Sequence, residues 1–278
     1  MFFSVMMRTM DLRFFYSDQG MFRQSILPEL MDMSYRHSFF ELFHGMAAVW
    51  VCHIALLISL ALLAFGIFPR VAALVALALH LSFLHRNVAV AYGVDLISTY
   101  YLFYLCFADY RPLGQMDQKE SMDARRIVGS MSYRLCQIQV CLIYVFAGLD
   151  KIKGPAWWRG DALWLIFASS QRATLDLTWT SHFPAALAFM TYLTLFWEVY
   201  FPVLVWFKPA GRWISIGLGV FIHIGIAVTM GLFTFSSLMV SMYLLFIGEE
   251  NVDKIAQCVK NLVIHRKVFW QRTEEISV

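Results

Sequence analysis

Uninterrupted apolar runs of roughly 20 residues recur along this chain, and a helix of that length matches the hydrocarbon thickness of a bilayer. The runs lie near 45–65, 71–84, 92–108, 127–149, 184–207, 213–230 and 233–247. Of all residues 60% are hydrophobic and 15% charged, where an ordinary soluble domain carries about a quarter charged. The expected fold class is therefore all-α: a polytopic transmembrane helical bundle of six or seven spans with interfacial helices. The run at 71–84 is short, which predicts a tilted or partly re-entrant segment. A net charge of +3, dispersed along the chain, does not suggest nucleic acid as a partner. Membrane lipids are the expected surroundings.

The expected organisation has three parts: an interfacial segment at 1–43, a transmembrane domain at 44–248 and a polar tail at 249–278. Residues 30–43, with Tyr35, Arg36, Phe39, Phe40 and Phe43, read as amphipathic and interfacial. Residues 163–170 are apolar but too short to cross and also read as interfacial. Residues 66–69 form a turn, and 109–126, with Arg111, Lys119, Arg125 and Arg126, form a solvated loop. Placing the basic tail in the cytoplasm puts that loop there too, as the positive-inside rule prefers, and leaves Lys151 and residues 1–43 outside. The opposite side carries nearly as many basic residues, so the margin is narrow. No basic region precedes the short apolar start, so a cleavable signal peptide is not expected. Cys52, Cys106, Cys136, Cys141 and Cys258 include no C-x-x-C, which predicts neither a disulfide framework nor a zinc site.

The polar residues of the apolar runs are the candidate site. Residues 142–163 carry a hydrophobic helix that Gly148 and Gly154–Pro155 are expected to break. Trp157 and Trp158 read as interfacial, which puts Lys151 and Lys153 at the hydrocarbon edge. A lysine serves as a base near neutral pH only when burial or a neighbouring cation disfavours its ammonium. A cavity walled by Trp157 and Trp158, with Lys153 beside it, would supply both, and Asp150 would oppose them. Glu198 and His223 each fall some 15 Å from the same surface at 1.5 Å rise per residue, near the midplane. Ionisable groups there are costly and are site candidates by default. Adjacent antiparallel helices could bring the two together, as a catalytic or a structural pair. Arg86 and Asp95, with Asn87 between them, could form an ion pair that shapes the pocket Lys151 faces. His44 and His53 lie on opposite faces of one helix, and His80 and His85 miss the i, i+4 spacing of a helical metal site. No metal is expected, and no hydrolase, P-loop or dinucleotide motif occurs in a suitable context.

Three stretches carry a resemblance. "YVFAGLDKIKGPAWWRGDAL" at 144–163, Tyr16-Ser17-Asp18-Gln19-Gly20, and the Arg86-Asn87 pair followed by Gly93 and Asp95 resemble the HTTM domain, the membrane domain shared with vitamin K-dependent gamma-carboxylase. An acidic residue before Pro-x-Leu (Glu198 before Pro202) and a histidine in the penultimate helix (His223) also match. The resemblance spans 14–246. It implies that the family's first membrane helix is missing, residues 1–12 being too short to span, through an upstream start codon or loss of the helix. It further implies a quinol-linked or carboxylase-like enzyme in a bacterial inner membrane, with Lys151 as base and Glu198 and His223 as partners. Arg86, Asn87, Asp95, Trp157 and Trp158 would line the pocket, and a quinone or reduced vitamin K would be the cofactor. His85 stands near the family's histidine without clear equivalence. The family's large lumenal substrate-binding region has no counterpart, so carboxylation of peptide glutamates is not implied. The alternative is a non-catalytic membrane component that processes, exports or confers immunity to a small secreted peptide or protein.

Overall fold

Prolines open four helices of this chain and glycines close two. Pro69, Pro155, Pro184 and Pro209 each stand in a first helical turn, where the missing N–H has no partner to lose. Gly160 and Gly231 follow helix ends in the left-handed conformation. In the computed structural model, which describes residues 1–18, 20–21, 37–108, 110 and 124–247, every described element is helical. In chain order these are α1 (Phe2–Arg8), α2 (Leu12–Tyr16), α3 (Met46–Ala64), α4 (Pro69–Arg86), α5 (Gly93–Leu105), α6 (Ala124–Ile152), α7 (Pro155–Arg159), α8 (Ala162–Phe167), α9 (Pro184–Phe207), α10 (Pro209–Met230) and α11 (Phe233–Met242). Tyr35, Arg36, Arg111, Lys119 and the 249–278 tail, with Cys258, lie outside the described residues, and Arg125 and Arg126 are described as backbone alone.

Four helices are long and apolar enough to cross a membrane: Met46–Ala64, Ile127–Ile152, Pro184–Phe207 and Pro209–Met230. Their outward faces carry stripes of exposed apolar side chains: Val51, Ile54 and Ile58 on α3, Phe189, Phe196 and Val203 on α9, Ile214, Phe221 and Ile224 on α10. Spaced by three, four or seven, each set lies on one helix face, and water would penalise such surfaces. The other expected crossings are helices of smaller reach: α4, α5, and α11 continued by a 3₁₀ turn to Phe246. Residues 163–170, expected at the interface, largely form the short helix α8.

From α3 to α11 the long helices run alternately up and down. One end gathers the contacts His37–His85, Ser38–Ser82, Tyr192–Trp158 and Thr174–Thr229. The other gathers Arg70–Ala108 and Gln137–Leu245. Two cores result. Val5, Leu12, Tyr16, Leu56, Phe83 and Leu102 fill one, on the α1–α5 side. Val140, Tyr144, Trp197, Phe201, Met239 and Tyr243 fill the other, on the α5–α11 side.

The N-terminal segment holds more structure than its length implied. α1, a 3₁₀ turn at Thr9–Asp11 and α2 follow one another and pack on α3, burying Val5, Leu12 and Tyr16. They are tied down by charge. Arg8 Nη2 donates to Asp95 Oδ1 at 2.5 Å, and the Asn87 amide donates to the Phe15 carbonyl at 2.8 Å. The Thr9 hydroxyl meets His53 Nε2 at 2.8 Å. Arg8→Ala removes the partner of a buried carboxylate, which also caps α5 by accepting from the Tyr92 N–H. Backbone amides of Phe2–Tyr16 are expected to lose at least about tenfold in hydrogen-exchange protection, equivalent to about 1.4 kcal/mol, while those of α9 and α10 keep theirs. Equal loss in both sets would refute a separately docked segment.

Candidate ion-pair site

Lys151 closes the last turn of α6, where the helix runs alongside α9. Gly148, expected to break this helix, lies inside it. Its function is close approach: a Cβ there would stand 2.8 Å from Val199 Cγ2 and 3.2 Å from the Val199 nitrogen on α9. With no side chain between them the two helices touch, and Lys151, one turn further on, reaches across to Glu198. The break comes later, at Gly154–Pro155, where α7 begins.

The Lys151 ammonium lies 2.8 Å from both Glu198 carboxylate oxygens and donates to Oε1. Oε2 is buried and, among the described residues, receives no well-directed donor. The ammonium also stands 5.4 Å from the centre of the Trp157 ring, a cation–π arrangement. The pair is asymmetric in its access to water, with side-chain exposure of 26% for Lys151 and 10% for Glu198. Pro202, four residues after Glu198, cannot donate to the Glu198 carbonyl, so the helix ladder lacks a bond at the turn that carries the carboxylate.

Glu198 and His223 do not bond to each other. His223 Nε2 lies 2.9 Å from the Tyr144 hydroxyl, which lies 2.5 Å from the Tyr243 hydroxyl. All three are buried, on α6, α10 and the turn after α11. The chain Tyr243–Tyr144–His223 can be bonded in either direction, with Tyr144 donating to one neighbour and accepting from the other, and among the described residues His223 Nδ1 has no partner. Trp197 and Phe201 pack against Tyr144 with ring centres 4.6 Å away. α9 thus presents Glu198 to Lys151 while its neighbours wall in the tyrosines. The indole of Trp197 donates to the Ser215 carbonyl at 3.0 Å, pinning α9 to α10.

The Arg86–Asp95 pair is replaced by two crossed pairs. Arg86 Nη2 donates to Asp18 at 2.8 Å, and Asp95 takes Arg8. The N-terminal segment supplies both partners, so Arg86, Asn87 and Asp95 surround that segment. Lys151 stands on α6 against α9, apart from them. Arg8, Tyr16, Tyr92, Asp95 and Thr234 line a cavity of about 250 Å³ there, and the Tyr92 and Thr234 hydroxyls bond across it. Lys153 does not face Lys151. It is 75% exposed and bound to Asp150 at 2.7 Å, so both charges point to the surroundings. Trp158 is 61% exposed, and its indole donates to the Ile152 carbonyl at 2.6 Å. It wedges the corner and leaves the cation to Trp157. His85 meets the His37 backbone. Among the described residues no group of three His, Cys, Asp or Glu could hold a metal ion.

Helical spacing marks Tyr144 as well: 144, 148 and 151 follow the i, i+4, i+7 rhythm of one helix face, so the face of Lys151 includes Tyr144. Nothing local marks Tyr243 as its partner, 99 residues away. Compared with models of protein families, with curated proteins and with solved structures, the chain matches none.

Proposed function

We propose that this chain is a multi-pass integral protein of a bacterial inner membrane, crossing six or seven times. In this reading it is a quinol-linked enzyme of the HTTM and gamma-carboxylase membrane-domain type, with the Lys151–Glu198 pair as its acid–base unit. The observation that carries the reading is one ammonium held between a carboxylate and an indole face, where α9 is otherwise uncharged. Ionisable groups in such segments are expensive and mark proton or ligand paths.

Two groups offer contacts to a hydroxyl-bearing aromatic ring. Oε2 of Glu198 is a buried acceptor without a well-directed donor among the described residues, and the face of Trp157 suits stacking. A quinol, when bound, would supply the hydroxyl protons and two electrons, the electrons passing to an external two-electron oxidant. Glu198 Oε2 would accept a hydroxyl proton, Lys151 would hold the carboxylate in place, and Trp157 would exclude water from one side. The pair, and not the lysine by itself, is the acid–base unit. Tyr144, His223 and Tyr243 give a bonded path in the same core.

Extraction and mass analysis of lipophilic molecules from the purified protein tests this. The wild type is expected to retain a quinone in near-stoichiometric amount, and Lys151→Ala and Glu198→Gln to lose it or its redox turnover. A wild type that holds no quinone, and variants that behave like it, would overturn the quinol assignment.

A further inference from the structure

At the end of the bundle away from Lys151 two arginines flank a second cavity, of about 270 Å³. Arg134 comes from α6 and Arg212 from the first turns of α10, with Trp206 of α9 beside them. The Arg134 guanidinium stands 5.5 Å from the centre of the Trp206 ring and donates from Nη1 to Gln137 at 3.0 Å. Arg212 donates from Nε to the Val205 carbonyl at 3.3 Å. These bonds orient both guanidinium groups and, among the described residues, leave Nε and Nη2 of Arg134 and both Nη groups of Arg212 as donors. Among the described residues no carboxylate pairs with either arginine. The floor is rigid, because Gln137 and Tyr133 both donate to the Leu245 carbonyl, at 2.6 and 2.5 Å.

We infer that this cavity binds the phosphate headgroup of an anionic phospholipid. Two fixed guanidinium forks match the geometry of phosphate oxygens. The depth is that of a headgroup: Trp206 and Phe207 end α9, Lys208 follows, and Trp213 stands in the early turns of α10. Exposed indoles beside cations mark a membrane–water interface, and basic pockets between helices at that level suit lipid phosphates. The size also fits. Drug-sized ligands occupy about 300–1,000 Å³, so 270 Å³ takes a headgroup and leaves the acyl chains outside, along the exposed apolar faces. This is also the end that the positive-inside reading places in the cytoplasm. The inference rests on the chain being membrane-embedded and is independent of the role given to Lys151.

The test offers detergent-purified protein equal amounts of phosphatidylglycerol and phosphatidylcholine with identical acyl chains and counts retained lipid by native mass spectrometry. The wild type is expected to prefer phosphatidylglycerol by about tenfold, as two arginines near an anionic headgroup should. The double variant Arg134→Gln/Arg212→Gln is expected to fall to near parity. Wild type retaining both lipids equally, or a double variant retaining the preference, would overturn the inference. Displacement of the bound lipid by millimolar inorganic phosphate would assign the cavity to free phosphate and overturn the lipid. Retention of the protein in the membrane pellet through alkaline carbonate separates failure of this site from failure of the membrane reading.

Discussion

Gly219→Ala is expected to destabilise the bundle by about 3 kcal/mol, at the upper end of what one extra methyl costs in a packed core. A Cβ at 219 would overlap the Tyr243 hydroxyl and stand 2.7 Å from Trp197 Cζ2. Neither neighbour can retreat. Tyr243 is 2% exposed and bonded to Tyr144, and Trp197 is 1% exposed and bonded to Ser215. The two flanking glycines of α10 are internal controls, because a Cβ at Gly217 or Gly225 meets nothing within 4 Å. Alanine there should be neutral or stabilising by up to about 1 kcal/mol, the ordinary helix preference for Ala over Gly. Thermal unfolding of the three variants in one detergent checks the ranking. A Gly219→Ala protein as stable as Gly217→Ala would show that α10 does not press on Tyr243 and Trp197 as described.

The second large effect belongs to the ion pair. Lys151→Ala leaves the Glu198 carboxylate, 10% exposed, without its cation, and stranding a buried charge costs about 3 kcal/mol or more. Glu198→Gln should cost less, because an ammonium on a 26% exposed side chain can swing toward water on its flexible stem. The double variant Lys151→Ala/Glu198→Gln should recover much of the loss, with a coupling of about 2 kcal/mol between the two sites. Denaturant unfolding of the four proteins closes the cycle. Additive effects would mean that the two groups act independently and that the 2.8 Å contact contributes nothing to stability.

The long helices were legible because a 20-residue apolar run has few other fates, and the prolines and glycines marked many of the ends. Lys151, Glu198 and His223 were legible one at a time, since a charge in an apolar run is conspicuous wherever it falls. Their pairing was not. Glu198 meets Lys151 across 47 residues of chain, His223 meets Tyr144 across 79, and Asp95 meets Arg8 across 87. Such partners are set by which helices pack together, and local periodicity carries no record of that. Arg86 and Asp95 illustrate the limit: near in sequence and opposite in charge, they nevertheless take partners from the N-terminal segment. Gly148 illustrates another. Glycine weakens a helix and also admits a neighbour, and only the helix lying against it shows which property the chain uses.

The contact at Gly148 also limits how the ion pair can open. Two helices that touch backbone to side chain, with no soft layer between, cannot slide or part by small amounts without losing the packing along their whole shared length. The separation of Lys151 and Glu198 is therefore gauged by main chain. Access to Oε2 of Glu198 is thus a matter of side chains, the lysine stem and the Trp157 ring beside it among them. Opening by rotation of side chains is a faster process than the helix rearrangement, on microseconds or longer, that parting α6 and α9 would take.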